Sequence, residues 1–310
     1  MRYCFIYISV LLLLGVVACG DEDALTPEVD TITDCFAPDP NATDEESVLR
    51  REFYTTEKSY LLFNDTLRHE ELGIDYNGDM QYKTELLDIG YTLGSGMVGG
   101  SIDYKYGYLQ SIEDKRAAVT FLKEYVLPHL STSLKPFSWF VPASISYMSG
   151  NTMVTLTAVA GQRSVVIAVG SDITSKTDVQ KKSLASSIFA SYLGNQFINN
   201  EAALEEFYAV CDGLHGGKFS TKDNPTQSEE INMKHQYEAG FVTQHYIRFG
   251  SFEMRTVGLY PTKDEDITSF TEFIFTYTME EIKAKFADYP KVIKRARMLS
   301  DLIVDLGYIY

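Results

Sequence analysis

Apolar residues along this chain follow two rhythms, and the change between them sets the expected architecture. Around Val48 and Phe53, set among charged neighbours, the spacing predicts a helix with order beginning near Asp44. The run Tyr60-Leu61-Leu62-Phe63 that follows predicts an extended segment. Ser111-Ile112-Glu113-Asp114 fits a capping box. It opens a helix whose apolar face is Ala118, Phe121, Leu122, Tyr125 and Val126, and Pro128 stops it. Three strand-like runs come next, Trp139–Tyr147, Thr152–Val159 and Ser164–Val169, with the short turn Ala160-Gly161-Gln162-Arg163 predicting a hairpin between the last two. The pattern then turns helical over Asp178–Phe197 and Glu201–Val210 and passes a glycine- and lysine-bearing loop at Gly213–Asn224. It is helical again over Thr268–Phe286 and Val292–Leu306, with Pro290 between them. Strands gathered in the first half and helices in the second predict α+β rather than alternating α/β.

The N-terminal pattern is of a different kind. Arg2, the apolar stretch Phe5–Val17 and the small residues of Val16-Val17-Ala18-Cys19 describe a secretory signal peptide over residues 1–18, too short to span a bilayer stably. The cysteine at the cut makes it resemble a bacterial lipoprotein signal, which implies acylation of Cys19 and a membrane-tethered mature chain. At about 0.8 kcal/mol per buried CH₂, two or more long acyl chains hold a protein on a membrane durably. Gly20-Asp21-Glu22-Asp23 resembles the acidic signal that sends Bacteroidota lipoproteins to the outer face of the outer membrane. Residues 19–44, rich in Asp, Glu, Pro and Thr and without apolar periodicity, are expected to form a flexible tether, leaving residues 45–310 as the folded domain.

Charge and cysteines narrow the partners. A formal charge of −16 repels nucleic acid and anionic lipid, so neither is an expected partner. Of the cysteines left after processing, Cys35 and Cys211 are free to pair in an oxidising compartment, which spacing alone does not decide. No CxxC and no Cys/His cluster is present, so a thiolate zinc site is not expected. The 21 Tyr and 18 Phe mostly serve a core, and add only slight support for sugar stacking.

Several motifs carry little chemistry. Gly94-Ser95-Gly96-Met97-Val98-Gly99 matches GxGxxG, but the following Asp103-Tyr104-Lys105-Tyr106-Gly107-Tyr108 is poor helix, so a turn-rich loop is expected there rather than a dinucleotide site. Among His69, His129, His215, His235 and His245 no two stand at i, i+3 or i, i+4, and each alone reads as a surface or packed residue. Ser149-Gly150 and Ser187 lack a GxSxG elbow.

The helix over Lys181-Lys182-Ser183-Leu184-Ala185-Ser186-Ser187-Ile188-Phe189-Ala190-Ser191-Tyr192-Leu193 resembles the active-site helix of a Bacteroidota family. These are the zinc metallopeptidase-like lipoproteins, also described as substrate import-associated zinc metallohydrolase lipoproteins. Phe121–Val126 through Leu134-Lys135-Pro136, Ala239-Gly240-Phe241-Val242-Thr243, and Tyr289–Ile293 through Asp301-Leu302 resemble further family segments in the same order, so the similarity spans about residues 45–309. The resemblance implies a zincin-like α+β fold: a small mixed sheet packed on the former active-site helix, and a helical C-terminal part. It also implies a place beside an outer-membrane nutrient importer.

The departure from the family pattern bears on chemistry. The family helix carries His-Glu-x-x-His; here those positions are Ser187, Ile188 and Ser191. Two imidazoles one turn apart bind zinc from one helix face, and the glutamate takes a proton from metal-bound water. Serine hydroxyls are poor zinc ligands and isoleucine neither ligates nor takes a proton. Ser187, Ile188 and Ser191 are therefore expected to form a packed helix face, with Glu253 as a remnant of the third ligand. No catalytic residue, metal or cofactor is expected, and Cys19 is the lipidation site. The expected role is a surface-anchored, non-catalytic accessory protein of a nutrient uptake system, binding glycan or peptide. The alternative is an active hydrolase with a relocated site, pairing Glu253 with Glu272 or Glu280.

Overall fold

The computed structural model describes residues 35–89, 102–198, 201–217, 229–243, 245–249 and 255–310. Cys19, the acidic cluster at 20–23, the Gly94–Gly99 motif, Glu253 and residues 218–224 of the glycine-bearing loop lie outside them. The chain divides into two units, Met1–Cys35 and Phe36–Tyr310.

Helix α1 (Glu45–Glu57) begins where Asp44 accepts a hydrogen bond from the Ser47 N–H at 2.8 Å, with Glu45 and Glu46 in its first turn. Carboxylates there satisfy free N–H groups and oppose the positive end of the helix dipole. Lys58, in the left-handed region, ends the helix, and strand β1 (Tyr60–Leu62) follows.

Strand β1 is an edge of the central sheet, which also contains β5 (Ser138–Phe140), β8 (Ala158–Ala160) and β9 (Ser164–Ile167) in the order β1-β5-β9-β8. The first three run parallel, with Leu61 beside Trp139 and Trp139 beside Val165; β8 closes the other edge antiparallel to β9. Side chains alternate between the faces of this sheet. Leu61, Trp139, Val165 and Ile167 join the main core with the helices, while Leu62, Phe140, Val159 and Val166 join a second cluster with Ile145. Ile145 belongs to β6 (Ser144–Ser149), which pairs with β4 (Lys105–Gly107) and β7 (Thr152–Leu156) in a separate antiparallel sheet. A further hairpin, β2 (Thr66–Ile74) with β3 (Met80–Leu86), stands largely exposed.

Helix α2 (Ile112–Phe121) is capped by Ser111, whose hydroxyl accepts from the Asp114 N–H, and continues through a π-helical turn and a 3₁₀ turn to His129, as Pro128 dictates. The long helix α3 (Asp178–Ile198) buries Ala185, Ile188, Phe189, Tyr192, Leu193 and Phe197, a spacing of threes and fours that makes one apolar stripe. It packs against β8 and against α6. After α4 (Glu205–Ala209), α5 (Glu229–Ala239) and a hairpin of β10 (His245–Phe249) with β11 (Arg255–Leu259), the chain ends in α6 (Lys263–Thr276), α7 (Met279–Lys285) and α8 (Pro290–Leu306). Beyond α8, Tyr308 bridges back to Leu130.

The fold is α+β, with a mixed sheet against α3, and departs from the sequence expectation at specific points. Pro142, lacking an N–H, separates β5 from β6 within the run expected to be one strand. The run Thr152–Val159 splits at Thr157, so that β7 and β8 serve different sheets. The helix expected over Thr268–Phe286 breaks at Tyr277-Thr278, where a second capping box begins, and Pro290 opens α8 rather than standing before it. Cys211 is a buried thiol that donates to the Ala239 carbonyl at 3.2 Å, and no disulfide joins it to Cys35. Among the described residues no helix is long and apolar enough to cross a membrane.

Candidate functional site

The sequence places Ser187, Ile188 and Ser191 on one packed face of α3; the structure separates them. Ile188 is only 1% exposed and belongs to the main core. Ser187 is exposed and Ser191 half-buried, and with Thr157, Thr276 and Glu272 they line an open depression of about 570 Å³. The reason is angular: positions 187 and 191 lie one turn apart on the same side of the helix, while position 188 is rotated by about 100° into the apolar stripe.

These residues do not suit zinc. The Ser187 hydroxyl donates to the Ser183 carbonyl at 3.1 Å, which occupies its proton within the helix. Among the described residues Glu272 is the one carboxylate lining the depression, and two neutral hydroxyls beside it fall short of the imidazole, thiolate and carboxylate sets that hold this ion. Among the described residues no three His, Cys, Asp or Glu side chains are grouped so as to hold a metal. The alternative pairing of Glu253 with Glu272 or Glu280 includes a residue outside the described ones; of the two partners, Glu272 lines this depression and Glu280 the adjoining groove.

That groove is larger, about 990 Å³, and shares Lys182, Ser186, Phe275 and Thr276 with the serine-lined depression. It lies where the first half of α3, the end of α6, the start of α7 and the end of α8 converge. Its floor is a knot of rings. Phe189 and Phe275 meet Tyr308 at centroid distances of 5.0 and 5.2 Å, both edge to face, and His129 stacks on Tyr308 at 5.6 Å. The His129 ring is oriented by Nδ1 donating to the Ile309 carbonyl at 2.8 Å. Burial pushes the Tyr308 phenol well above its ordinary value, so it is neutral across the physiological range. Tyr125 and Tyr277 also line the groove, with Tyr310 largely exposed beside them.

Four exposed carboxylates complete the lining: Glu124, Asp178, Glu280 and Asp301. Asp178 pairs with Lys182 at 2.8 Å and accepts from the Tyr125 hydroxyl at 2.8 Å. The Lys182 hydrogen bond, then the Tyr125 one, holds its carboxyl below the usual range. Glu124, Glu280 and Asp301 have no ion-pair partner among the described residues. The sequence marks His129 only as a surface or packed residue, with nothing to connect it with Phe275, Tyr308 and Tyr310. Their meeting depends on the chain end returning to residue 130, which no local pattern announces.

A second polar cluster holds the helical layer together. The Arg295 guanidinium, fully buried on α8, makes a two-pronged salt bridge to fully buried Asp266 on α6, and donates to the carbonyls of Gly240 at 2.8 Å and Phe207 at 3.2 Å. It stacks 3.9 Å from the Phe207 ring centre and 4.4 Å from that of Phe270. His215 Nε2 adds a 2.8 Å hydrogen bond to Asp266. Gly240 (φ +104°) is needed here, because a Cβ would meet the Cys211 sulfur at 2.9 Å and Lys291 Cβ at 3.1 Å. The segments Ala239–Thr243 and Tyr289–Leu302 thus meet at Arg295. No family model matches the chain, nor does any curated protein or solved structure.

Proposed function

We propose that this chain is a lipid-anchored, outward-facing lipoprotein with a degenerate zincin-like body, acting without catalysis as an accessory binding protein of an outer-membrane nutrient uptake system. The observation that carries the reading is the side chain at position 188. The resemblance puts the catalytic base there, and this chain puts a core-packed isoleucine, beside an intact aromatic groove of about 990 Å³. Support for the zincin-like relationship comes from the mixed sheet with its antiparallel edge strand β8 lying against α3. Concave sites with apolar walls and a few polar groups are where ligands bind, and this groove offers rings, hydroxyls and carboxylates to a glycan or peptide.

Elemental analysis of the purified protein, paired with a peptide- and glycoside-hydrolysis screen with and without chelator, tests this. Sub-stoichiometric zinc and no chelator-sensitive turnover are expected. One tightly held zinc per chain would favour the alternative, an active hydrolase with a relocated site, for which Glu272 beside Ser187 and Ser191 is the starting observation.

A further inference from the structure

We propose that the groove binds a cationic polypeptide segment, seating lysine or arginine side chains between its acidic rim and its aromatic wall. The inference rests on the binding reading above and goes further in naming the ligand class. Its first support is charge. Among the described residues four carboxylates line the groove against one lysine, Lys182, which is already held by Asp178. Lys181 and Lys285 sit 5.9 and 4.3 Å from the ring centres of Tyr125 and Tyr277 without lining the groove, and counting them still leaves the site negative. Glu124, Glu280 and Asp301, with no ion-pair partner among the described residues, stand on a concave surface with apolar walls, where the field of like charges is focused.

The second support is how the rings are presented. A sugar stacks on a flat, open ring face. Here Phe189 and Tyr308 are 3% and 7% exposed, pack edge to face, and His129 covers one Tyr308 face at an interplanar angle of 11°. What the floor offers is an apolar wall for the methylene stems of long side chains. Ammonium groups already stand beside rings bordering the groove: Lys181 lies 5.9 Å from the Tyr125 ring centre, and Lys285 donates to the Tyr277 hydroxyl at 2.9 Å.

Binding of three labelled probes to the full chain tests the proposal: a lysine–glycine peptide, a glutamate–glycine peptide of equal length and a neutral gluco-oligosaccharide. The lysine peptide should bind, more weakly as salt is raised. The double variant Glu280→Gln/Asp301→Asn should weaken it about tenfold, as expected for two rim charge contacts. Glu52→Gln/Glu71→Gln, the same charge change away from the groove, should leave it unaltered. Thermal melts of both variants establish that they are folded. Equal loss in the two double variants would reduce the effect to overall charge and overturn the proposal. Binding of the oligosaccharide but not the lysine peptide, weakened by Tyr310→Ala, would overturn the cationic ligand while leaving the accessory-binding reading in place. If none of the three probes binds, both readings fall.

Discussion

At position 188 of α3 the side chain decides more than its neighbours do. A glutamate there would sit among Phe189, Leu193 and the rest of the main core, either charged without solvent or held neutral by a raised pKa, since Ile188 is 1% exposed. An unpaired charge left in a protein interior costs about 3–5 kcal/mol. Ile188→Glu should therefore lower the urea-unfolding free energy by that order. The pair Ser187→His/Ser191→His, on the open side of the helix, should change it by no more than about 0.5 kcal/mol. Rebuilding a zinc site in this chain consequently meets its obstacle at the base and not at the ligands. Tyr192, one turn further on, allows a test by pH. Its hydroxyl donates to the Leu134 carbonyl at 2.6 Å, and burial pushes the phenol up to about 12. Because the folded state holds the proton more tightly than the unfolded chain, this contribution is complete below about pH 10 and is lost as pH rises to about 12. Stability curves of Tyr192→Phe and wild type should converge over that interval. A constant gap between them would show that Tyr192 does not titrate as its burial implies.

Among elements, those with local start and stop signals were legible from the sequence. Asp44 and Ser111 each act within one or two helical turns, and α1, α2 and α3 form where the pattern predicts helices, with α2 passing at Leu122 into a π-helical turn short of Pro128. The break between α6 and α7 was missed, because the apolar period continues across it. The signal was present in Thr278 and Glu281. The threonine hydroxyl accepts from the Glu281 N–H, and Glu281 accepts from the Thr278 N–H at 2.7 Å, which also holds the Glu281 carboxyl below its ordinary range. Thr278→Ala removes half of this box, and should lower stability by about 0.5–2 kcal/mol in chemical denaturation. It should also loosen the α6–α7 corner, where Tyr277 and Glu280 line the groove, detectable as faster amide exchange at the start of α7. The β2–β3 hairpin was missed for a different reason. With both faces largely exposed, its residues carry no burial pattern for a period of two to reveal.

In the whole molecule, what joins distant segments was not legible. Asp266 and Arg295 lie 29 residues apart, His129 and Ile309 lie 180 apart, and nothing in either neighbourhood marks the partner. Tertiary packing selects these pairs, so the groove appears only once the chain end returns to residue 130. The same packing separates the problem of folding from that of location. Among the described residues the two large apolar clusters are drawn from Phe36 onward, and Phe36–Tyr310 is a compact unit. On the proposal that Cys19 carries the anchor, removing it should change where the protein is found and leave its stability unaltered. Cys19→Ala, expressed in a host that processes lipoproteins, should leave the membrane fraction while keeping the wild-type melting temperature. A chain starting at Phe36 should melt at the same temperature. If Cys19→Ala stays with membranes after a high-salt wash, attachment runs through the folded unit and the anchor assignment fails. If it is released but melts markedly lower, residues before Phe36 contribute to the fold after all.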